Sequence, residues 1–424
     1  MKDSIQYPRF RWLILVAVII ANIGSSITGL AVAPVLPQIA ESLHINLGLA
    51  SNLVLTPPVF SGCVIMLLVG GAICDRYGVL FTIILGLLCA AVPASLMPWI
   101  GNSTTGIFWA RIAQGASGGF LFTTMGPVIG LWFPTHQKGL ASGLMGASVA
   151  IGSSAGVVTG PIVFELVNNW QTMYVWLSGL SWVSIVFAVI LAMMPKPKLP
   201  VQPRPADGAS DSTIFKRALF SPLTMIGVLI TFAAIYGTQC LYALTSTFLA
   251  AAKPVGAGYG SMTAGQLMLG LTLFAGVVGP IVSGLLLDRV FHGNTKVVFL
   301  IGFGLTCVFV YLLTLPSIID RIPVLEATMI LAGFGVQIVF STIFYFIAKA
   351  YAPQVVGKIT GTWMGIGNFG GVVGLYIAGV TIKSEGSYHT TLMLQSLVAL
   401  VGFILVFALA AAHKRKTNTQ AADA

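Results

Sequence analysis

The chain has very few charged residues. Asp, Glu, Lys and Arg make up 8% of its 424 residues, whereas hydrophobic residues make up 57% and the mean hydropathy is +0.95. An ordinary soluble domain is about a quarter charged, so this composition excludes a protein with a water-exposed surface of the usual kind. Apolar runs of about 20 residues, the length that a helix needs to cross a bilayer, recur along the whole chain. The composition therefore predicts an all-α integral membrane protein embedded in the lipid bilayer.

Clusters of metal-binding or nucleophilic residues are also missing from the sequence. The five cysteines lie in or beside apolar runs without disulfide or metal-ligand spacing, which indicates free thiols. No spacing of His, Cys or carboxylates indicates a metal site or a catalytic nucleophile. The Gly-x-Gly-x-x-Gly pattern at 365–370 lies inside an apolar run and not at a strand-to-helix turn, which argues against a dinucleotide site. We therefore expect neither an enzyme nor a bound cofactor.

Twelve apolar runs are separated by polar, proline or glycine breaks. We number them spans 1 to 12, with predicted boundaries at 12–33, 52–73, 80–100, 107–131, 140–164, 173–194, 223–249, 263–287, 297–315, 325–348, 359–382 and 390–411. The proline-rich segment after span 6 has the composition of an extended linker. The predicted organisation is an N-terminal six-helix bundle at 1–194, a cytoplasmic linker at 195–221 and a C-terminal six-helix bundle at 222–424.

The basic residues are sorted to one side of this arrangement. Seventeen of the 21 Lys and Arg residues fall on the side of the two termini, three fall on the other side, and Arg111 lies inside span 4. Cytoplasmic loops carry an excess of basic residues. The sorting predicts a protein of the cytoplasmic (inner) membrane with both termini in the cytoplasm. It also accounts for the net charge of +10. A nucleic-acid partner, which would need the charge on one exposed face, is not expected.

A short motif occurs twice, at the ends of spans 2 and 8. The copies are Gly71-Ala-Ile-Cys-Asp75-Arg76-Tyr-Gly78 and Gly284-Leu-Leu-Leu-Asp288-Arg289, half a chain apart. The glycine-rich starts of spans 5 and 11, at 139–146 and 357–365, repeat in the same way. Such recurrence indicates a duplicated architecture. We interpret the Asp-Arg pairs as gating residues at a turn, where an ion pair made in one conformation would stabilise it. The alternative is a loop charge that only sets topology.

These features together resemble the major facilitator superfamily. The motifs that carry the resemblance are the loop at 71–78, Arg111-x-x-Gln114-Gly115 in span 4, and Gly156-x-x-x-Gly160-Pro161 in span 5. Val79 and Leu80 depart from the basic residues that usually end the first motif, and the glycine pair that often follows Gly-Pro is missing. The resemblance implies two pseudo-symmetric bundles that rock about a central site lined by spans 1, 4, 7 and 10. It also implies a monomeric secondary transporter, and it names no substrate.

Arg111 is the only basic residue predicted well inside a span. A charged side chain at a helix centre costs about 2.5 kcal/mol or more, so it needs a partner or a watery cavity. Gln114, three residues later, lies on the same helix face. A guanidinium that binds a carboxylate or sulfonate group of an anionic substrate would satisfy this need. The alternative is a structural arginine bonded to backbone carbonyls or to an acidic neighbour.

Uncharged polar residues mark further candidate positions. The residues that we expect to line a cavity and bind a small solute are Asn22 on span 1, Gln239 and Tyr242 on span 7, Gln337 and Tyr345 on span 10, and Asn368 on span 11. Tyr242 belongs to a polar stripe on span 7, with Gln239 adjacent to it, and Gln337 and Tyr345 belong to a stripe on span 10. The alternative is hydrogen bonding between helices, worth about 0.6 kcal/mol per bond.

Spans 1, 4, 7 and 10 contain no carboxylate in mid-membrane. A carrier of organic cations needs one, so an anionic or neutral substrate is favoured. We predict a symporter of a small organic anion of the carboxylate or sulfonate type, with a proton or sodium as the coupling ion. Glu165 and Glu326 are candidates for proton exchange. The alternative within transport is export of hydrophobic compounds or drugs. A membrane enzyme or sensor would need a catalytic cluster or a soluble domain, and neither is visible.

Overall fold

The computed structural model of the protein describes residues 8–32, 35–45, 57–194, 210–251, 253, 256–385 and 388–422. Within these ranges all regular secondary structure is helical, and no strand occurs. The prediction of an all-α protein is confirmed.

Each predicted span of the first half falls on a helix. The helices of spans 1 to 6 are Phe10–Leu30, Pro57–Tyr77, Val79–Ser95, Thr104–Trp132, Lys138–Val167 and Trp170–Met193. Leu36–Ser42 and Met97–Ile100 are short α-helices, and Thr135–Gln137 is a 3₁₀ turn. Two of the long helices begin at capping side chains, because Ser103 accepts a bond from the Gly106 amide and Asn169 one from the Thr172 amide. The predicted start of span 2, at 52–56, lies outside the described residues.

The second half is helical at the same six places. Spans 7, 9, 10 and 12 are Pro222–Ala250, Thr295–Leu312, Ile322–Ala350 and His389–Ala422. Span 8 runs through Gly260–Gly270, Leu271–Val278, Gly279–Leu285 and Leu286–Val290, the second and fourth of which are π-helical. Span 11 consists of Val356–Gly367 and Phe369–Glu385. Shorter helices are Asp211–Leu219, Pro316–Ile319 and the 3₁₀ turn Pro353–Val355.

Spans 8 and 11 differ from the continuous α-helices that we expected. Span 8 contains two stretches with the wider π-helical turn, which is rare in proteins and usually limited to one turn. Span 11 is interrupted at Asn368, between glycines at 367 and 370. Glycine loses more conformational entropy in a helix than other residues, so a glycine-rich run is a weak point where a helix breaks at little cost.

The helices have the length and surface of membrane-spanning segments. Ten helices of the described residues are long and apolar enough to cross a membrane. The other two predicted spans are Val79–Ser95, an apolar helix of 17 residues, and Thr104–Trp132, a helix of 29 residues. Large apolar side chains such as Trp109, Leu166 and Val183 are exposed. A surface of this kind would be unfavourable in water and is the expected surface of a protein in lipid.

The chain forms two compact units. The first unit contains residues up to Pro134, Ser148–Ile214 and Tyr351–Gly365, and the second contains Thr135–Ala147, Phe215–Ala350 and the residues from Ile366 onward. One core cluster of the first unit includes Val32, Met97 and Met173. One core cluster of the second includes Leu271 and Met329. The start of span 5 thus belongs to the second unit, and the start of span 11 to the first.

The predicted six-helix bundles at 1–194 and 222–424 have other boundaries than these two units, and the bundle boundaries stay a prediction. Residues 195–209 of the predicted linker lie outside the described residues. The remainder of the linker is more ordered than we expected, because it contains the helix Asp211–Leu219.

Candidate functional site

The Asp75 carboxylate lies in the last turn of the span 2 helix, just before the turn between spans 2 and 3 where we predicted it. Its Oδ1 accepts a hydrogen bond from the backbone N–H of Gly357 (2.9 Å), and its Oδ2 accepts one from Lys358 (2.9 Å). These amides belong to the second and third residues of the helix Val356–Gly367, where N–H groups have no partner inside the helix. Asp75 therefore caps the N-terminus of span 11, where the helix dipole favours negative charge.

Asp288 makes the equivalent contact in the second unit. Its Oδ1 accepts a hydrogen bond from the N–H of Gly139 (2.8 Å), and its Oδ2 accepts one from Leu140 (2.7 Å). Gly139 and Leu140 are again the second and third residues of a helix, Lys138–Val167. Span 8 thus caps span 5 in the way that span 2 caps span 11. The two copies of the motif perform the same structural task.

Glycines allow the helices at these contacts to approach each other. A Cβ on Gly71 would collide with the carbonyl oxygen of Gly357, and a Cβ on Gly284 would collide with that of Gly139. Gly71 and Gly284 each lie four residues before the capping aspartate, so glycine and carboxylate share one helix face. The Gly-x-x-x-Asp spacing therefore places a close backbone contact directly beside the cap.

In the described part of the chain, no ion pair joins the arginines of the two motifs to the motif aspartates. Asp75 and Asp288 bind backbone amides, whereas Arg76 and Arg289 are exposed. The Arg76 guanidinium lies over the Tyr77 ring, 5.2 Å from its centroid. The carboxylates prefer the amides because two orphan N–H groups at a helix start offer two short bonds in a fixed geometry. After Tyr77 the chain turns through Gly78, whose φ of 90° lies in the region that favours glycine.

Arg111 is almost fully buried in the first unit, with 1% of its surface exposed. Its Nη1 donates to Gln114 Oε1 (2.6 Å) and to Tyr174 Oη (3.2 Å), and its Nη2 donates to the carbonyl oxygen of Gly29 (2.9 Å). The side chain therefore joins spans 1, 4 and 6. Gln114, which was predicted on the same helix face, binds the guanidinium, and the carbonyl contact expected of a structural arginine is also present. The Gln114 Nε2 atom is buried and has no hydrogen-bond partner in the described part of the chain.

Asn22 forms a bond between helices. Its Nδ2 donates to Ser148 Oγ (3.0 Å), which joins span 1 to span 5 inside the first unit. Ser25 and Ser117 join spans 1 and 4 in the same way, with 2.8 Å between their hydroxyl oxygens. These contacts match the interhelical alternative for Asn22 and do not by themselves indicate a ligand.

The second unit brings two of the predicted residues together. The side chain of Gln337 lies beside the hydroxyl of Tyr242. That hydroxyl, and the Thr245 hydroxyl one turn further along span 7, are buried without a partner that meets hydrogen-bond geometry among the described residues. Buried polar atoms without partners are rare in native proteins. Tyr242, Thr245 and Gln337 therefore form a polar cluster with unused hydrogen-bonding capacity.

The other predicted residues of the second unit lie elsewhere. Gln239 packs against the Gly371 backbone. Tyr345 is 1% exposed and packs with Leu287 and Val298, at the end of span 10 near Asp288. Eight residues separate it from Gln337, about 12 Å along a helix. Asn368 is half-buried at the break in span 11. The predicted stripe on span 10 thus divides into two separate environments.

A family model described as Major Facilitator Superfamily matches residues 14–289 and 235–424. The chain belongs to the Major Facilitator Superfamily. Superfamily membership confirms the resemblance, the fold and the prediction of a membrane transporter of small molecules, as opposed to an enzyme.

Individual superfamily relatives are distant. "Probable anion transporter 2, chloroplastic" from Oryza sativa subsp. japonica is 27% identical over 175 residues, which cover 41% of this chain and 32% of the plant protein. "Multidrug efflux protein YfmO" from Bacillus subtilis (strain 168) is 27% identical over 200 residues, 45% of this chain and 46% of that protein. The chain thus spans about a third of the first relative and under half of the second. The crystal structure of the superfamily transporter FucP in the outward conformation superposes with a TM-score of 0.73 at 14% identity, covering 93% of this chain and 98% of FucP.

Two parts of the site in this superfamily member were missed by sequence reasoning. Tyr174 binds Arg111, but it lies in an apolar run with no motif around it. The amides of Gly357 and Gly139 bind the motif aspartates, and backbone groups leave no mark on the sequence. The available signal was that each copy of the Asp motif is matched by a glycine-rich helix start in the opposite half of the chain.

Proposed function

We propose that this protein is a secondary active transporter that moves a small organic anion, of carboxylate or sulfonate type, across the cytoplasmic membrane by alternating access. It acts as a monomer with both termini in the cytoplasm. The bundles 1–194 and 222–424 are its moving parts, the segment 195–221 links them, and a proton or sodium ion is co-transported.

The observation that carries this proposal is the distribution of buried charge. In the conformation described, Asp75 and Asp288 both bind helix N-termini, so neither carboxylate is available to a cationic solute in that conformation. Arg111 is the buried charge of span 4, and the spans expected to line the site have no mid-membrane carboxylate. Within the second unit, the buried groups Tyr242 and Gln337 are uncharged hydrogen-bonding residues, which do not favour a cation. An anion therefore matches the site residues better than a cation does.

The relatives support two solute classes. The plant protein is named an anion transporter, which agrees with the charge distribution. The Bacillus protein is named a multidrug efflux protein, which favours the alternative of an exporter of hydrophobic compounds. Transport of a panel of carboxylates, sulfonates and apolar drugs by the purified protein in liposomes distinguishes the two.

We assign Asp75 and Asp288 as gating residues, flanked by Arg76 and Arg289. Each carboxylate stabilises the conformation in which it meets its helix start, because those bonds are lost when the helix ends separate. A contact present in one state shifts the equilibrium by its own differential free energy. Alternating access then requires that the caps form and break during the cycle.

The decisive variant is Arg111→Gln. If the guanidinium binds the substrate anion, its removal forfeits a charge-assisted bond of about 1.5–3 kcal/mol, or about 10- to 150-fold in KM. Arg111→Lys keeps the charge and is expected to retain more uptake. Tyr174→Phe removes one bond to Arg111 while leaving the charge, and so controls for its structural role. A folded Arg111→Gln protein with the wild-type KM for every anion in the panel would overturn the anchor role.

A further inference from the structure

A cavity of about 540 Å³ lies in the second unit, among the ends of spans 9, 10 and 12. It adjoins the turn at 291–294, which follows the second copy of the Asp motif. The basic residues of its wall are His292, Lys296, Lys349, His413 and Lys414, and no Asp or Glu of the described residues lines it. Three lysines and two histidines around one cavity favour a negatively charged occupant.

The rest of the wall is mainly apolar. Phe299, Phe346, Val406 and Leu409 line the cavity, and all four are buried residues. The helix Thr295–Leu312 begins at the cavity, with Asn294 and Thr295 in the wall. Its first amides have no partner inside the helix, and the dipole places partial positive charge there. The cavity therefore combines cations and a helix start with a hydrophobic surface.

The positions of the cations are defined by neighbouring groups. Lys349 Nζ donates to the carbonyl oxygen of Gly293 (2.8 Å), and Lys296 Nζ lies 4.8 Å from the centre of the Phe407 ring. The His413 ring contacts the Phe346 ring at 5.5 Å. An ammonium group has three N–H donors, so one bond to a carbonyl leaves further donors for an anion.

The position of this cavity at the ends of spans 9, 10 and 12 does not by itself explain why its wall is basic. A cavity of about 600 Å³ lies in the first unit, and its wall includes the start of span 3 and the ends of spans 4 and 6, which correspond to spans 9, 10 and 12 in the repeat. Residues of spans 1 and 2 and the turn Pro353–Val355 also line it. Its wall is mostly apolar, and its one charged residue is Asp75. The positive-inside rule adds basic residues to both halves of the chain. Of these two cavities among the described residues, the one in the second unit is lined by basic residues and the one in the first unit is not.

We propose that the cavity of the second unit binds a phosphate group, supplied by the headgroup of an anionic membrane phospholipid. The lysines bind the phosphate, and the apolar wall contacts the beginning of an acyl chain. Basic pockets between transmembrane helix ends are suited to such headgroups. The site is separate from the transported solute, so it does not depend on which substrate is carried.

Native mass spectrometry of the delipidated protein tests the site. Phosphatidylglycerol, phosphatidylcholine with the same acyl chains, and inorganic phosphate are titrated in turn. Each basic residue near an anionic headgroup strengthens the binding of the lipid. The loss of two of them in Lys296→Gln/Lys349→Gln is therefore expected to weaken phosphatidylglycerol binding about 30-fold. The matched control Lys216→Gln/Arg217→Gln loses the same charge on the helix Asp211–Leu219 and is expected to bind like the wild type.

Two further variants distinguish a direct loss of lipid binding from a folding defect. Lys296→Gln/Lys414→Gln leaves the Lys349 bond to Gly293 intact and is expected to weaken binding similarly. Lys349→Arg keeps the positive charge and is expected to bind like the wild type. Inorganic phosphate that binds, and that displaces phosphatidylglycerol, would support the phosphate site and identify a soluble source beside the lipid. Equal binding of phosphatidylglycerol by the wild type and both cavity variants would overturn the proposal. A wild-type protein that binds phosphatidylglycerol no better than phosphatidylcholine, and does not bind inorganic phosphate, would also overturn it.

Discussion

Asp75→Asn tests the capping contact with the smallest change of shape. The wild-type carboxylate accepts bonds from two amides, those of Gly357 and Lys358. An asparagine side chain has one acceptor oxygen, and its NH₂ group would face the second N–H. The variant therefore loses at least one of the two bonds together with the negative charge at the helix start.

The cost follows from these contacts. A hydrogen bond to a charged group contributes about 1.5–3 kcal/mol. A charge at a helix N-terminus adds about 0.3–1 kcal/mol at exposed positions. Because Asp75 is half-buried and partly screened, we expect a total of about 2–3 kcal/mol, or about 30- to 150-fold in the local opening equilibrium.

Hydrogen–deuterium exchange followed by mass spectrometry measures that opening. In Asp75→Asn, exchange is expected to rise in peptides covering 353–365 and to stay at the wild-type rate in peptides covering 135–147. Asp288→Asn is expected to show the opposite pattern, because its amides belong to Gly139 and Leu140. Each variant is thus the control for the other.

Two results would refute this reasoning. Wild-type exchange at 353–365 in folded Asp75→Asn would show that the carboxylate does not hold the start of span 11. Faster exchange in both segments in either variant would show general destabilisation in place of a local cap.

Two further predictions concern packing and surface charge. Gly71→Ala is expected to lower the free energy of unfolding by about 1–3 kcal/mol, because its Cβ would overpack against the Gly357 carbonyl. The control Gly179→Ala, whose Cβ would meet open space, is expected to leave thermal stability unchanged. Equal stability of the two variants would contradict the close contact at Gly71. The hydrogen bond from Lys253 to Asp320 (2.7 Å) and the carboxylate charge raise the pKa of Lys253. The pair stabilises the protein below the ordinary lysine pKa and loses this effect only as pH rises through the raised value. Since both side chains are exposed, Lys253→Gln is expected to leave the melting temperature at neutral pH unchanged, and a clear drop would count against this.

Much of the fold could be predicted from the sequence because hydropathy is a local property. Span 4, predicted at 107–131, is the helix Thr104–Trp132, and every other predicted span also falls on a helix. The π-helical turns of span 8 and the break at Asn368 could not be predicted. They depend on how neighbouring helices pack, whereas the apolar pattern of the chain continues through them.

The features of the candidate site were likewise only partly predictable from the sequence. The sequence by itself determined the membrane class, the duplicated Asp motif and the buried Arg111, since each follows from residue type and spacing along one helix. Only the tertiary structure decided that Asp75 caps the helix at Gly357, that Tyr174 binds Arg111, and that Lys296 and Lys349 share a cavity. These contacts join residues far apart in the chain, often through backbone groups that every residue carries, and the residues meet only when the helices have packed.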